Sequence, residues 1–375
     1  MTLSDEARYD ARPTIPEDYP PMQETQPYQR PRQAQAQRVR RSISKQRRPA
    51  NWRRRIGMFG LVLMVVTVTG VVVLVQRAIA FNDAVSTESA ISARLFGPFS
   101  GGDRVNVLLL GYSDDSRPGG YLSDSINILS IDRSTDTTSM IPLPRDLWVE
   151  GVPEVPQNMK INEAFRIGYY ADSLDYAAEL AAKAVTQVTG LPIQGWISLD
   201  FQGFQEAVDA VGGITVHNPR AFEYTWSDED WLAGNFQYSF PAGTLELTGA
   251  EALDYARNRY GSVPEEYGDF ARLQRQQRVL LAIRAEINGW GSLPKGLAVS
   301  NALEGHLRTN LSVWDLLQLS GRLDPDQRVE IEDALQATNN TLGQYVLVVM
   351  GQENPSDYRL LHQRIADQLY QATGG

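Results

Sequence analysis

Val105-Asn106-Val107-Leu108-Leu109-Leu110-Gly111 is the stretch that decides the fold. A short apolar run closed by glycine reads as a buried strand opening into a turn. The loop that follows, Tyr112-Ser113-Asp114-Asp115-Ser116-Arg117-Pro118-Gly119-Gly120, is built of turn formers and carries carboxylates and an arginine. Leu122-Ser123-Asp124-Ser125 then leads into a second apolar run, Ile126 to Ile131, and a third, Ser139 to Leu143, ends in Pro144-Arg145-Asp146. Strands of an open α/β sheet bind ligands outside their ends, which is where these polar segments meet if the three runs lie side by side.

Helical periodicity alternates with strand-like runs further on. Asp172 to Thr189, Phe201 to Val211, Thr248 to Asn258 and Ala271 to Asn288 read as helices, and Gly195 to Leu199 and Gly213 to His217 as strands. Val313 to Leu319 and Ser356 to Tyr370 add helices, and Tyr345 to Met350 a strand. This interleaving predicts an α/β protein, an αβα layered fold around a central mixed sheet. The boundaries predicted are a catalytic domain at 104–350 and a helical extension at 351–375. No internal repeat is apparent.

The densest polar signal lies between Thr248 and Gln277, where Arg257 and Arg259 precede Asp269, Arg272, Gln274, Arg275, Gln276 and Gln277. Arg272, Arg275 and Gln276 stand at i, i+3 and i+4 and are expected on one helix face. Planar guanidiniums converging on one place suit a polyanion such as a pyrophosphate. The plain alternative is a solvated helix face.

Taken in order, Asp115-Ser116-Arg117, Ser123-Asp124-Ser125, Pro144-Arg145-Asp146, Lys160-Ile161-Asn162, Ala256-Arg257-Asn258-Arg259 and Asp269-Phe270-Ala271-Arg272 with Arg275-Gln276-Gln277 resemble the motifs of the LytR-CpsA-Psr family. Val208 to Gly213, Phe240 to Gly243 and Leu247 to Leu253 match its connecting segments. The resemblance runs from about Val105 to about Ala285 and on towards Met350. It implies a membrane-anchored phosphotransferase that moves an anionic glycopolymer, such as a teichoic acid, from a polyprenyl-pyrophosphate carrier onto peptidoglycan, using magnesium.

The resemblance also implies roles. Arg145, Arg257, Arg259 and Arg272 are the expected catalytic cations, with Arg117, Lys160, Arg275 and Gln276 on the substrate, because a pyrophosphate leaving group needs its growing charge stabilised. Asp124, then Asp115, is the expected magnesium ligand, since this ion needs only one or two carboxylates beside phosphate and water. Asp115 is also the expected general base, although the spacing from Gly111 leaves Asp114 open for that role. Leu122 stands where the family commonly has an arginine, and Ala271 replaces a common glycine. Two other readings therefore stay open: a polyprenyl-pyrophosphate phosphatase, and a non-catalytic envelope regulator that binds lipid precursors. An apolar slot for the carrier is expected beside the polar cluster, with Leu174 to Val188, Val279 to Ile287, Phe165, Phe201 and Phe204 as candidate lining.

The amino-terminal sequence predicts the compartment. Ile56 to Val75 is uncharged, apolar and long enough to cross a bilayer as one transmembrane helix. Arginines and lysines crowd the segment before it, with no acidic residue from Tyr28 to Arg55. The expectation is a disordered basic cytoplasmic tail at 1–55, a span at 56–75, a linker at 76–103 and an extracytoplasmic remainder. Ala78-Ile79-Ala80 resembles a cleavage site, but the apolar run is too long for a signal peptide.

The net charge of −10 at pH 7, with the positive residues concentrated in the tail, argues against nucleic acid as a partner. The chain contains no cysteine, so neither disulfides nor thiolates contribute. His217, His306 and His362 are too scattered for a zinc hydrolase, and neither a phosphate-binding lysine loop nor a Gly-x-Ser-x-Gly elbow occurs. Trp226, Trp231 and Trp290 are candidates for stacking on sugars, or for packing in the core.

Overall fold

The structure is a computed structural model. It describes residues 103–114, 120–287, 292–320, 322, 325–351 and 354–371, with isolated positions at 76, 77, 80, 81 and 84. The expected transmembrane span, the basic tail, Asp115, Arg117 and Trp290 lie outside the described residues. Among those described, no helix is long and apolar enough to cross a membrane.

Six strands form the main sheet: β1 (Arg104–Tyr112), β2 (Ser123–Asp132), β3 (Thr137–Leu143), β4 (Gly195–Asp200), β5 (Leu307–Thr309) and β6 (Gln327–Arg328), in the order β5-β4-β1-β2-β3-β6. β1, β2 and β3 run antiparallel to their neighbours in that meander, while β4 joins β1 and β6 joins β3 in parallel. The sheet is mixed, as the alternation of elements predicts. Leu108, Leu110, Ile126, Ile128, Ile141 and Leu143 fill one face, and Val105, Val107, Leu129, Ile131 and Met140 the other. Burial on both faces is why these strands read as continuous apolar runs.

The first face is covered by α1 (Glu163–Ala171), α2 (Leu174–Thr189) and the C-terminal helix Arg359–Gln371. The last, expected as an extension, sinks Leu361, Ile365 and Leu369 into the same core. Ser173 caps α2 by accepting from the Tyr176 amide, and Gly190 ends it at φ +70°. The opposite face carries Leu311 and Leu319 around the helix Val313–Ser320. α1 was not legible in the sequence, being short and rich in aromatics.

A second core joins α3 (Phe201–Ala210), α4 (Gly249–Arg257) and α5 (Gly268–Ile287) to short antiparallel strands. Ile214–Asn218 pairs with Gly243–Leu247, and Phe222–Thr225 with Tyr238–Phe240. Thr248 and Glu251 form a reciprocal capping box at the start of α4. That start presses against α3: the Gly249 amide donates to Asp209 Oδ1 at 2.7 Å.

A Cβ on Gly249 would lie 2.2 Å from the Gln205 carbonyl oxygen, inside any tolerable contact with backbone. Gly249→Ala is therefore expected to destabilise the domain by about 1–3 kcal/mol, the usual scale of overpacking. Thermal denaturation checks this, and a melting temperature equal to wild type would refute it.

Candidate active site

Strand register alone assembles the centre of the site. Ile126 pairs with Leu143 across β2 and β3. Two residues further along each chain, the antiparallel register brings Asp124 opposite Arg145. Nη1 of Arg145 donates to Asp124 Oδ1 at 2.5 Å. Arg257, the last residue of α4, reaches the other carboxylate oxygen at 3.4 Å. From α5, Gln276 Nε2 donates to the Asp124 carbonyl at 3.3 Å.

Asp146, next to Arg145, is a second hub. Its carboxylate accepts from Lys160 Nζ at 2.7 Å and lies 3.4 Å from Arg259 Nη1 and 3.5 Å from Arg145 Nε. Asp269 is the third, 2.8 Å from Arg272 Nη2 and 3.8 Å from Arg259 Nη1. Among the described residues, the cluster thus holds Arg145, Lys160, Arg257, Arg259 and Arg272 against Asp124, Asp146 and Asp269. The positive groups exceed the negative by two, an imbalance that one bound diphosphate would neutralise.

Burial grades the cluster from floor to rim. Arg272 is 2% exposed, whereas the Arg257 and Arg259 side chains are 21% and 26% exposed. Nε of Arg272 is buried without a hydrogen-bond partner among the described residues, while Nη2 of Arg272 and Nε of Arg145 keep only the ion-pair contacts to Asp269 and Asp146. Buried donors left unmade each cost about 1–3 kcal/mol, so a ligand that accepts from them binds on favourable terms. Phe201, expected in a lipid slot, lies under Arg257, whose guanidinium carbon is 4.4 Å from the ring centroid, with Trp226 at 6.0 Å.

The electrostatics follow from this packing. Burial alone would raise the Asp124 carboxyl, but Arg145, Arg272 and Arg257 together outweigh it and hold the group below its ordinary value. Asp146 is likewise held down, against the effect of its burial, by Arg145 and Lys160. Burial pushes Arg272 down to about 10, with Asp269 opposing the shift and the neighbouring Arg145 adding to it. It remains charged at neutral pH.

The structure therefore gathers Asp124, Arg145, Lys160, Arg257, Arg259, Arg272 and Gln276. It does not bring Arg275 with them. Arg275 is fully buried, and its guanidinium donates to the Tyr255, Asn258 and Glu266 carbonyls and to Glu266 Oε2 at 2.6 Å. Its donors are spent on the turn between α4 and α5, including the carbonyl of Asn258 between Arg257 and Arg259, so the expected sharing of a face with Arg272 is not seen. The sequence reading assigned no role to Asp146 or Asp269, although each stands within a motif that carries an arginine. Phe165 and most of α2 fill the first core, and Val279 the second, rather than a separate lining. Trp231 stacks on Tyr267 and donates to the Gly261 carbonyl.

Asp124 is the carboxylate expected to hold magnesium, and its two oxygens here meet Arg145 and Arg257. Among the described residues no set of three or more acidic, histidine or cysteine side chains forms a cage for a metal. Magnesium does not require one, because it keeps waters and shares phosphate oxygens.

Comparison with known proteins agrees with the geometry. The teichoic acid transferase TagU of Oceanobacillus iheyensis is 34% identical over 217 residues, covering 58% of this chain and 61% of that protein. TagU of Enterococcus faecalis is 29% identical over 237 residues, covering 63% of this chain and 69% of that protein. The match thus spans less than two thirds of the Oceanobacillus protein's length. The crystal structure of protein gbs0355 from Streptococcus agalactiae superposes with a TM-score of 0.53 at 23% identity, covering 70% of this chain and 88% of that one, a likeness of fold. The model of the LytR_cpsA_psr family matches residues 58–359, and the chain belongs to the LytR-CpsA-Psr family.

Proposed function

We propose that the domain transfers an anionic glycopolymer from a polyprenyl-pyrophosphate carrier onto peptidoglycan. The observation that carries this reading is the buried, positively imbalanced cluster around Asp124, with Nε of Arg272 buried and without a hydrogen-bond partner among the described residues. The names of the curated relatives, teichoic acid transferases acting on peptidoglycan, support the substrate class.

In the step proposed, a hydroxyl oxygen of the acceptor sugar attacks the glycan-bearing phosphorus. A new P–O bond forms, the bridging P–O bond of the pyrophosphate breaks, and polyprenyl monophosphate leaves with the bonding electrons. Arg145, Arg257 and Arg272 hold the non-bridging oxygens and stabilise charge as it grows on the leaving phosphate. Arg259 and Lys160 hold Asp146 in place and line the rim. A magnesium ion held by Asp124, with Asp115 as the second ligand expected from sequence, would supply further charge neutralisation.

The proton of the attacking hydroxyl must go to a carboxylate. Asp124 and Asp146 are poor acceptors, because arginines depress their basicity. The base proposed is therefore the one the family resemblance implies, Asp115, with Asp114 as its alternative. Membrane anchoring through 56–75, with this domain outside the cell, is part of the same proposal, since the carrier is a membrane lipid.

The direct test incubates the full-length chain with a lipid-pyrophosphate glycan, magnesium and peptidoglycan fragments. A joined product is expected, whereas cleavage without joining would indicate a phosphatase and binding without turnover a lipid-precursor binding protein. Arg257→Ala is expected to lower kcat by roughly 10²–10³-fold with little change in melting temperature, as for loss of one positioned charge-stabilising donor. Arg275→Ala should do the reverse, costing about 3–5 kcal/mol of stability because buried Glu266 loses its close partner and keeps only Arg278 at 3.9 Å. Equal effects of the two substitutions on kcat at constant stability would refute this division.

Asp124 also sets a pH dependence. Its folded-state pKa lies below the ordinary 3.8, so the stability it contributes is fully present above that value and is lost as pH falls through the depressed pKa. Asp124→Asn should therefore lower the unfolding free energy by about 1–3 kcal/mol at neutral pH, and the gap to wild type should close in strongly acidic buffer. Denaturant titrations at a series of pH values measure this; a constant gap would contradict it.

A further inference from the structure

His306, which no zinc pattern absorbs and the reaction as described does not use, has a definite set of partners. It closes the turn between the helix Ser292–Leu303 and β5, after Gly305 at φ +86°, and its amide donates to the Leu303 carbonyl at 3.1 Å. Nδ1 of its ring lies 3.0 and 2.9 Å from the two carboxylate oxygens of Asp200, the last residue of β4. A carboxylate accepts, so this ring nitrogen carries the proton and donates it. The His306 carbonyl in turn accepts from the Asp200 amide at 3.3 Å. The two residues, 106 positions apart, are joined through backbone and side chain at once.

Asp200 is also the start of α3. Its Oδ1 accepts from the Gly203 amide at 2.7 Å, the capping bond of that helix. One oxygen suffices for a cap. The hold of His306 on both oxygens does something further, because it ties the cap to a separate segment of the chain. The packing is shaped around this contact: a Cβ on Gly203 would lie 2.3 Å from the His306 Cβ. Glu206, on the next turn of α3, lies 3.9 Å from His306 Nε2, so both ring nitrogens face carboxylates of one helix end.

The residue after Asp200 is Phe201, whose buried ring has its centroid 4.4 Å from the Arg257 guanidinium carbon. Arg257 reaches Asp124 at 3.4 Å, long for a charged hydrogen bond. The ring face therefore shares in deciding where the guanidinium lies, as a flat surface that attracts a cation. Where that surface stands is set by the first residue of α3, and that residue follows directly on the clamped Asp200. We infer that His306 is a positioning residue of the anion site: by clamping Asp200 it fixes Phe201, and the Phe201 ring holds Arg257 in place for a diphosphate. This rests on the reading above that the cluster takes a pyrophosphate, and it does not require transfer to peptidoglycan.

The test titrates the full-length chain with inorganic pyrophosphate and magnesium in a calorimeter, with melting temperatures alongside. His306→Ala is expected to weaken binding roughly three- to tenfold, the scale of one cation–ring contact. Asparagine places an amide nitrogen where Nδ1 stands, and glutamine where Nε2 stands. His306→Asn should therefore bind nearly as well as wild type, and His306→Gln as weakly as His306→Ala; the glutamine variant carries the test if the alanine variant fails to fold. In an Arg257→Ala background, His306→Ala should cost nothing further, because the effect passes through that arginine. A clamp that serves stability alone would lower the melting temperature of His306→Ala and leave pyrophosphate affinity unchanged, which would overturn the inference. Equal losses with and without Arg257 would overturn it too. If wild type binds pyrophosphate but joins no glycan, the transfer reading falls and these affinities still decide the role of His306; wild type without affinity for pyrophosphate would remove both.

Discussion

Arg145, Arg257 and Arg272 all bear on one buried carboxylate, Asp124, and the rest of the site depends on that convergence. Five cationic side chains do not gather voluntarily. Two like charges about 4 Å apart repel by about 4 kcal/mol at the effective dielectric of a protein surface, so the cluster exists only because Asp124, Asp146 and Asp269 are interleaved with it. The interleaving is incomplete, and the shortfall is what attracts an anion. A fully neutralised cluster would be more stable and would bind a diphosphate less well.

Holding such a cluster requires elements that do not yield. The Asp124–Arg145 pair needs no loop, because it is the continuation of the β2–β3 register beyond the last ladder pair. Arg257 arrives from the far end of a helix whose start is fixed by the Thr248–Glu251 capping box and by Gly249 against α3. Arg275 then ties the segment after that helix to α5 through the Asn258 and Glu266 carbonyls. The arginines of the cluster are thus held by register, capping and backbone carbonyls, the usual way in which preorganisation is built into a fold.

The strands were legible because burial on both faces leaves an uninterrupted apolar run, and the site motifs because arginines and aspartates cluster at the ends of those runs. What escaped has particular causes. From Arg272, a helix of 3.6 residues per turn carries residue 275 about 60° one way and residue 276 about 40° the other. Gln276 therefore faces Asp124 while Arg275 faces the second core, a distinction that spacing of three against four does not settle without knowing where the core lies. Phe222–Thr225 and Tyr238–Phe240 were missed because so short a strand has too few residues for alternation to stand out. Phe201 carried an apolar signal correctly, but its partner is a guanidinium, which no apolar pattern announces.

The same electrostatics divide the carboxylates by task. A carboxylate clamped by arginines holds its charge well, so it suits a metal ion or a structural counter-charge, and it takes up a proton poorly. Asp124 and Asp146 are of this kind, which is why the proposed base is sought on the loop after β1. The loop that would carry the base ends in the strained backbone of Tyr121.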